Sequence, residues 1–190
     1  MRAAMAEGEK FLESKKDWIQ KRLTVHIETD ERFFYLGREI AVTRVFEDGI
    51  SKNIIKFNQN VLGIRSPKIS RISDKALYEK WLRIKGEEII PRRTEFLART
   101  NNFKVRKISI RNQKTRWGSC SISGALSFNF KLMQFREEVI DYVIIHELCH
   151  LAEMNHSRKF WNIVGSIVPE YKSLRKELKL FNRTKKEELL

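Results

Sequence analysis

One stretch restricts this chain more than any other. From Val139 to Ala152 nearly every position is apolar (Val139, Ile140, Val143, Ile144, Ile145, Leu148, Leu151, Ala152), so a helix here is apolar on every side and belongs in an interior. The same stretch carries His146, Glu147 and His150. Glutamate is almost never buried without a partner, and two polar rings beside it need partners as well. Residues four apart share one face of a helix, so both imidazoles reach the same point. Glu147 lies about 100° around, where it can touch a water at that point without being a ligand itself. A metal ion with its water meets all three needs, which makes His146 and His150 expected ligands and Glu147 the expected general base of a hydrolytic site.

A zinc ion that keeps one position open for water needs a third protein ligand. His156 is the expected one, because His150-x5-His156 has the spacing of the metzincin pattern. That pattern has a glycine where this chain has Glu153, so Asn155 is expected to reverse the chain in the left-handed conformation. Ser157 then reads as the N-cap of the next helix. A carboxylate further on, such as Glu170, is the alternative ligand. His26, the fourth histidine, lies in a distant strand-like run and reads as ordinary surface or structure.

A chain of 190 residues with 42% hydrophobic content fits a single domain over 1–190 with a real core. Its halves differ in texture, with a β-rich part at about 23–73 and a zinc-binding part at about 74–182. Two cysteines, Cys120 and Cys149, make no disulfide framework and suit a reducing cytoplasm, where the protein is expected. No run approaches the ~18 apolar residues of a membrane helix. The formal charge is +14, and between Phe96 and Arg136 there is no acid but nine cations: Arg99, Lys104, Arg106, Lys107, Arg111, Lys114, Arg116, Lys131 and Arg136. That segment, 99–136, is a candidate for weak nucleic-acid contact; a solvated sheet face is the plainer alternative.

Apolar spacing predicts a first helix over 9–22. Strands are expected around Thr24–Ile27, Phe33–Leu36, Ile40–Val42, Ile54–Phe57 and Val61–Leu62, with Asp48-Gly49 a tight turn between two of them. Ser73-Asp74 caps a long helix to about Arg99, with Leu77, Trp81, Ile84, Ile89, Phe96 and Leu97 inward and a kink or break at Pro91. Further strands are expected near Val105–Ile110, Thr115–Cys120 and Ala125–Phe130, Ser123-Gly124 turning the last pair. Helices at 136–153, 157–167 and 170–181 follow, then a loose tail over Arg183–Glu188. Leu126–Phe130 is the expected edge strand for receiving an extended peptide.

Taken together, Arg116-Trp117-Gly118-Ser119-Cys120-Ser121, Leu126-x-x-Asn129-x-x-Leu132, Tyr142 through Leu151 and Asn155-His156-Ser157-x-x-Phe160-Trp161 resemble the YgjP-like metallopeptidase family, related more loosely to SprT-like and WLM proteases. The resemblance implies an α+β, zincin-like domain with a small antiparallel sheet and an HExxH helix. It also implies Zn²⁺ on His146, His150 and His156, Glu147 as the catalytic glutamate, and a peptide or protein substrate. Two departures stand out: the family's basic β-hairpin before the first helix has no counterpart, and Gln134-Phe135 stands where a proline commonly precedes the active-site helix. Arg116, Tyr142 and Asn129 are oxyanion-donor candidates by residue type only.

Overall fold

Two-residue turns with left-handed backbone organise the first strands. Leu36-Gly37 (φ 48° and 77°) joins β1 (Phe33–Tyr35) to β2 (Arg38–Glu47), and Gln59-Asn60 (φ 47° and 63°) joins β3 (Ile54–Asn58) to β4 (Val61–Pro67). Positive φ at both central positions gives the twist that suits a tight hairpin. The computed structural model describes residues 31–187, with side chains through residue 181. The expected helix over 9–22, the run Thr24–Ile27 and His26 therefore lie outside the described residues.

These strands form one sheet in the order β1-β2-β4-β3. Asp48-Gly49 does turn the chain, with Gly49 at φ 80°, but the strands on either side of it are not neighbours. Instead β2 runs parallel to β4, Val42 opposite Leu62 and Arg44 opposite Ile64, while β3 pairs with β4 antiparallel.

Chain contacts divide the protein into two compact units. One comprises the residues through Phe33 with Glu39–Tyr78; the other comprises Phe34–Arg38 with Glu79 onward. In the first unit Ile40, Leu62, Ile64 and Leu77 form the core, and Arg44 is buried with them at 5% exposure. A buried guanidinium must spend its donors, and this one does. Its Nε donates to Ser66 Oγ (2.8 Å), Nη1 to the Ile72 carbonyl (2.6 Å) and Asp74 Oδ1 (3.0 Å), and Nη2 to Ser70 Oγ (3.0 Å).

The long helix α1 runs Asp74–Thr100, capped by Ser73 Oγ accepting from Ala76 N–H (3.2 Å) and stopped at Asn102, φ 58°. It continues through Pro91 without a break. The carbonyl that proline deprives of a partner belongs to Glu87, on the solvated side where water can serve it. Leu77 and Trp81 are buried as expected, and the stripe continues through Tyr78, Leu82, Gly86, Ile90, Thr94 and Ala98, whereas Ile84 and Phe96, expected inside, are 53% and 48% exposed.

In the second unit β5 (Lys107–Arg111), β6 (Gly118–Cys120) and β7 (Ala125–Asn129) form a sheet in the order β5-β7-β6, with β5 parallel and β6 antiparallel to β7. The α+β class stands, and each small sheet is mixed, joining one parallel pair to an antiparallel one. Because β7 is paired on both sides it has no free edge for a peptide; β6 has one. A short 3₁₀ helix (Phe130–Gln134) leads to α2 (Glu137–Cys149), α3 (Arg158–Ile167) and α4 (Tyr171–Glu187). The last helix carries on through residues expected to be loose.

The hairpin tip docks in this unit through Leu36 N–H to the Met133 carbonyl (2.9 Å) and Gly37 N–H to Gln134 (3.1 Å). Gly37 is required there, since a Cβ would sit 2.8 Å from Arg136 Cβ. Leu126, Phe128, Leu132, Ile144, Leu148, Phe160 and Val164 are fully buried between sheet and helices. Among the described residues no helix is long and apolar enough to cross a membrane.

Candidate metal centre

Helix α2 begins with Glu137 and Glu138 in its first turn, where acidic side chains complement the helix dipole, and nine of its residues are buried. It ends at Cys149, earlier than the apolar pattern implies, but His150 keeps right-handed helical backbone (φ −66°, ψ −17°) and so stays one turn beyond His146. The chain then tightens. Leu151 N–H bonds the Leu148 carbonyl and Ala152 N–H that of Cys149, both at 3.0 Å, in i→i−3 steps that curl the backbone off the helix axis.

Asn155 is not left-handed. The reversal comes from those tight steps and from a three-residue turn, Ser157 N–H to the Asn155 carbonyl (2.8 Å). Ser157 caps α3 as expected, its Oγ accepting from Phe160 N–H (3.3 Å). His156 is thereby held at a junction and turned back toward α2.

The outcome is a convergence of three imidazoles. One ligand-capable atom from each of His146, His150 and His156 lies within 4.8 Å of the others, and His146 Nε2 is 2.9 Å from His156 Nε2. Glu170 does not join them in any such group among the described residues. His150 Nδ1 faces the Glu153 carbonyl at 3.1 Å; protonated there, it leaves Nε2 free as a lone-pair donor. Phe160, fully buried, stacks on His150 (centroids 4.5 Å, 28°) and sets its edge against His146 and His156 at 4.9 and 4.7 Å. Trp161 lies 5.6 Å from His156 and 5.8 Å from His146.

Burial and neighbouring charge favour the neutral form of His146 and His156. Burial, then the neighbouring His150, His156 and Arg175, push His146 down to about 3. Burial, then His150 and Arg175, lowers His156. Neutral imidazole is the form that binds a metal, and three imidazole nitrogens with an open side fit the donor preference of Zn²⁺.

Glu147 is 6% exposed beside them. Burial pushes its carboxyl up to about 7, against a lowering influence from Arg116. The side chain lies on β6: a Cβ added to Gly118 would meet Glu147 Cγ and Oε1 at 2.7 Å. Only glycine lets the strand backbone approach the carboxylate so closely. Cys120, two residues along the same strand face, borders the same space, and burial followed by the Glu147 charge raises its thiol to about 11. Cys149 is fully buried and burial raises it to about 12, in keeping with a core thiol.

Arg116, Gly118, Ser119, Cys120, His146, Glu147, His150, Met154 and His156 line one open cleft of ≈ 350 Å³. Of the oxyanion candidates, Asn129 is committed elsewhere: it donates to the Gln113 carbonyl (2.7 Å) and accepts from Lys131 N–H (3.0 Å). Tyr142 is buried and raised to about 12, by burial first. Arg116 is exposed at the rim. Phe160 and Trp161 enter the sequence reading only within the motif that carries the family resemblance, without a role, and Arg175 carries no signal at all.

Residues 1–181 match the family described as YgjP-like, metallopeptidase domain. None of the curated proteins matches the chain. Among solved structures it is similar to the metallopeptidase zymogen abylysin of Pyrococcus abyssi, at 24% identity and TM-score 0.44 over 47% of this chain and 91% of that one. It is also similar to the zymogen jannalysin of Methanocaldococcus jannaschii, at 26% and 0.43 over 50% and 96%. The family match takes in every strand described here, the helix that bears His146 and the turn that returns His156, and extends into α4: the chain belongs to the YgjP-like metallopeptidase family.

Proposed function

We propose that this chain is a zinc-dependent peptidase, with His146, His150 and His156 as ligands and Glu147 as the general base. The observation that carries the reading is the convergence of three imidazoles beside a buried carboxylate. Bound zinc would supply a Lewis acid that eases deprotonation of water and polarises the scissile carbonyl. Glu147 takes a proton from the attacking water as its oxygen joins the carbonyl carbon. It then gives that proton to the amine nitrogen as the C–N bond breaks. A carboxyl held near 7 is well matched to both halves of that transfer.

The free edge of β6 supplies the groups that an extended polypeptide needs. Trp117 and Ser121 spend backbone groups on β7 through Asn129 N–H to the Trp117 carbonyl and Ser121 N–H to Ala125 (both 2.9 Å). By the alternation of an antiparallel ladder, Gly118 and Cys120 then turn their backbone N–H and C=O outward. We take both units as one metallopeptidase domain, in line with a match that spans them. Two free thiols suit a cytoplasmic location.

Purified protein is expected to hold about one zinc per chain, and His156→Ala to weaken that binding strongly. Glu147→Gln is expected to fold, keep its zinc and lose at least ~100-fold in casein hydrolysis. Equal hydrolysis by wild type and Glu147→Gln would remove the mechanism. Zinc-loaded wild type inert on every peptide pool would remove the peptidase activity.

A second reading, a nucleic-acid-associated protein with structural zinc, has one observation in its favour. Of the nine cations between Arg99 and Arg136, Lys131 pairs with Glu79 and Arg136 with Glu177 and Glu138. Arg99, Lys104, Arg106, Lys107, Arg111, Lys114 and Arg116 are exposed and in no ion pair among the described residues.

A further inference from the structure

Helix α4 carries Lys172, Arg175, Lys176 and Lys179, spaced so that all four fall on one side. All are exposed, and together they bound a groove of ≈ 230 Å³. The opposite side is the packing side, where Leu174 and Leu178 are buried. Glu177, the acid of this stretch, is turned to Arg136 at 2.9 Å and neutralises none of the four. Among the described residues none of them is in an ion pair. Like charges three and four apart disfavour a helix, so the arrangement works against the element that bears it.

The cationic side leads into the metal centre. The Arg175 guanidinium lies 4.8 Å over the Trp161 ring, and that ring lies 5.6 Å from His156. Arg116 lines the cleft itself and is also exposed, in no ion pair among the described residues. Glu147 is the acid of the cleft lining and is itself buried. Cleft and groove together therefore present a positive surface to whatever enters.

We propose that the outward side of α4 holds an acidic stretch of the polypeptide substrate, with Arg116 favouring negative charge at the cleft, so that the preferred substrates are unfolded chains with clustered Asp or Glu near the scissile bond. The inference rests on the peptidase reading and gives it a substrate class. Carboxylates carried on an extended backbone suit the surface better than a phosphodiester chain, because the neighbouring centre is read as a peptidase and β6 offers outward N–H and C=O groups that pair with peptide.

The test is a binding measurement that does not depend on turnover. A fluorescent unstructured peptide with a run of Glu and Asp, and a matched one with Gln and Asn, are titrated onto zinc-loaded Glu147→Gln protein. The acidic peptide is expected to bind about tenfold more tightly at low salt, with an advantage that shrinks severalfold by ~0.3 M salt. K172E/K176E, checked for an unchanged melting temperature, is expected to erase most of that advantage, and K172Q/K176Q about half of it. Equal affinity for the two peptides, or undiminished preference in K172E/K176E, would overturn the proposal. So would a single-stranded oligonucleotide of equal charge that displaces the acidic peptide and itself loses binding in K172E/K176E, since the surface would then be a nucleic-acid site. Wild type that carries zinc yet cleaves neither peptide would defeat the peptidase reading separately, because the binding comparison is read without cleavage.

Discussion

Glu147 and His146 are adjacent on one buried helix, and burial moves them in opposite directions. The carboxyl rises from 4.5 to about 7, so the folded chain holds that proton more tightly than the unfolded chain does. Its contribution to stability is full below pH 4.5 and is lost as pH rises through about 7. The imidazole falls from 6.5 to about 3, so its contribution is full above 6.5 and is lost as pH falls toward 3. The two oppose each other between pH 4.5 and 6.5. Substituting one of them separates the effects. In chelator-treated protein, Glu147→Gln is expected to be more stable than wild type at about pH 8, by something on the order of 3 kcal/mol, with the gain gone at about pH 4.5. Denaturant melts at a series of pH values measure this. A difference independent of pH would mean that the glutamate is ionised without penalty in the fold.

Among the elements, the turn between α2 and α3 matters most, because one serine both starts α3 and fixes the residue before it. Ser157→Ala is expected to destabilise the metal-free protein by about 1 kcal/mol, and Ser157→Asp to restore most of that loss. Zinc affinity should fall in the alanine variant and recover in the aspartate one, since His156 precedes the cap; urea melts and competition with a chelator measure the two effects. Unchanged affinity in Ser157→Ala would mean that Phe160 alone places His156. This turn also marks how far the sequence could be read. The histidine spacing, the Ser73 and Ser157 caps and the Ser123-Gly124 turn carry local signals, and each appears in the structure. The left-handed Asn155 does not, because successive i→i−3 hydrogen bonds reverse the chain without it. The stripe of α1 was legible at Leu77 and Trp81 but not further along, for a different reason. Gly86 is buried because a Cβ there would come within 3.1 Å of Phe130, and Thr94 is buried because its hydroxyl donates to the Ile90 carbonyl at 2.7 Å. Neither has an apolar side chain to announce it. Strand pairing was harder still: nothing local in β2 distinguishes β3 from β4 as its neighbour, and the partner is fixed by burying Leu62 and Ile64 with Ile40.

At the scale of the molecule the excess of positive charge is unevenly used, with some cations in ion pairs and the run from Arg99 to Arg116 in none among the described residues. Weak binding of nucleic acid through that run is expected, falling steeply with salt because each phosphate contact releases counterions. Charge reversal at Lys107, Arg111 and Lys114 is expected to abolish it with zinc content intact, as followed by fluorescence anisotropy across a salt series. No binding even at ~20 mM salt would make the run a solvated surface. The metal centre has a different kind of economy. Its cleft-lining residues all fall between Arg116 and His156, in one unbroken passage of chain within one unit. Short separations along the sequence keep loop-closure entropy small, so the centre does not wait for distant segments to find each other. Insertions and losses in the first unit are thus insulated from the chemistry, and a lineage can remodel that unit while inheriting the cleft unchanged.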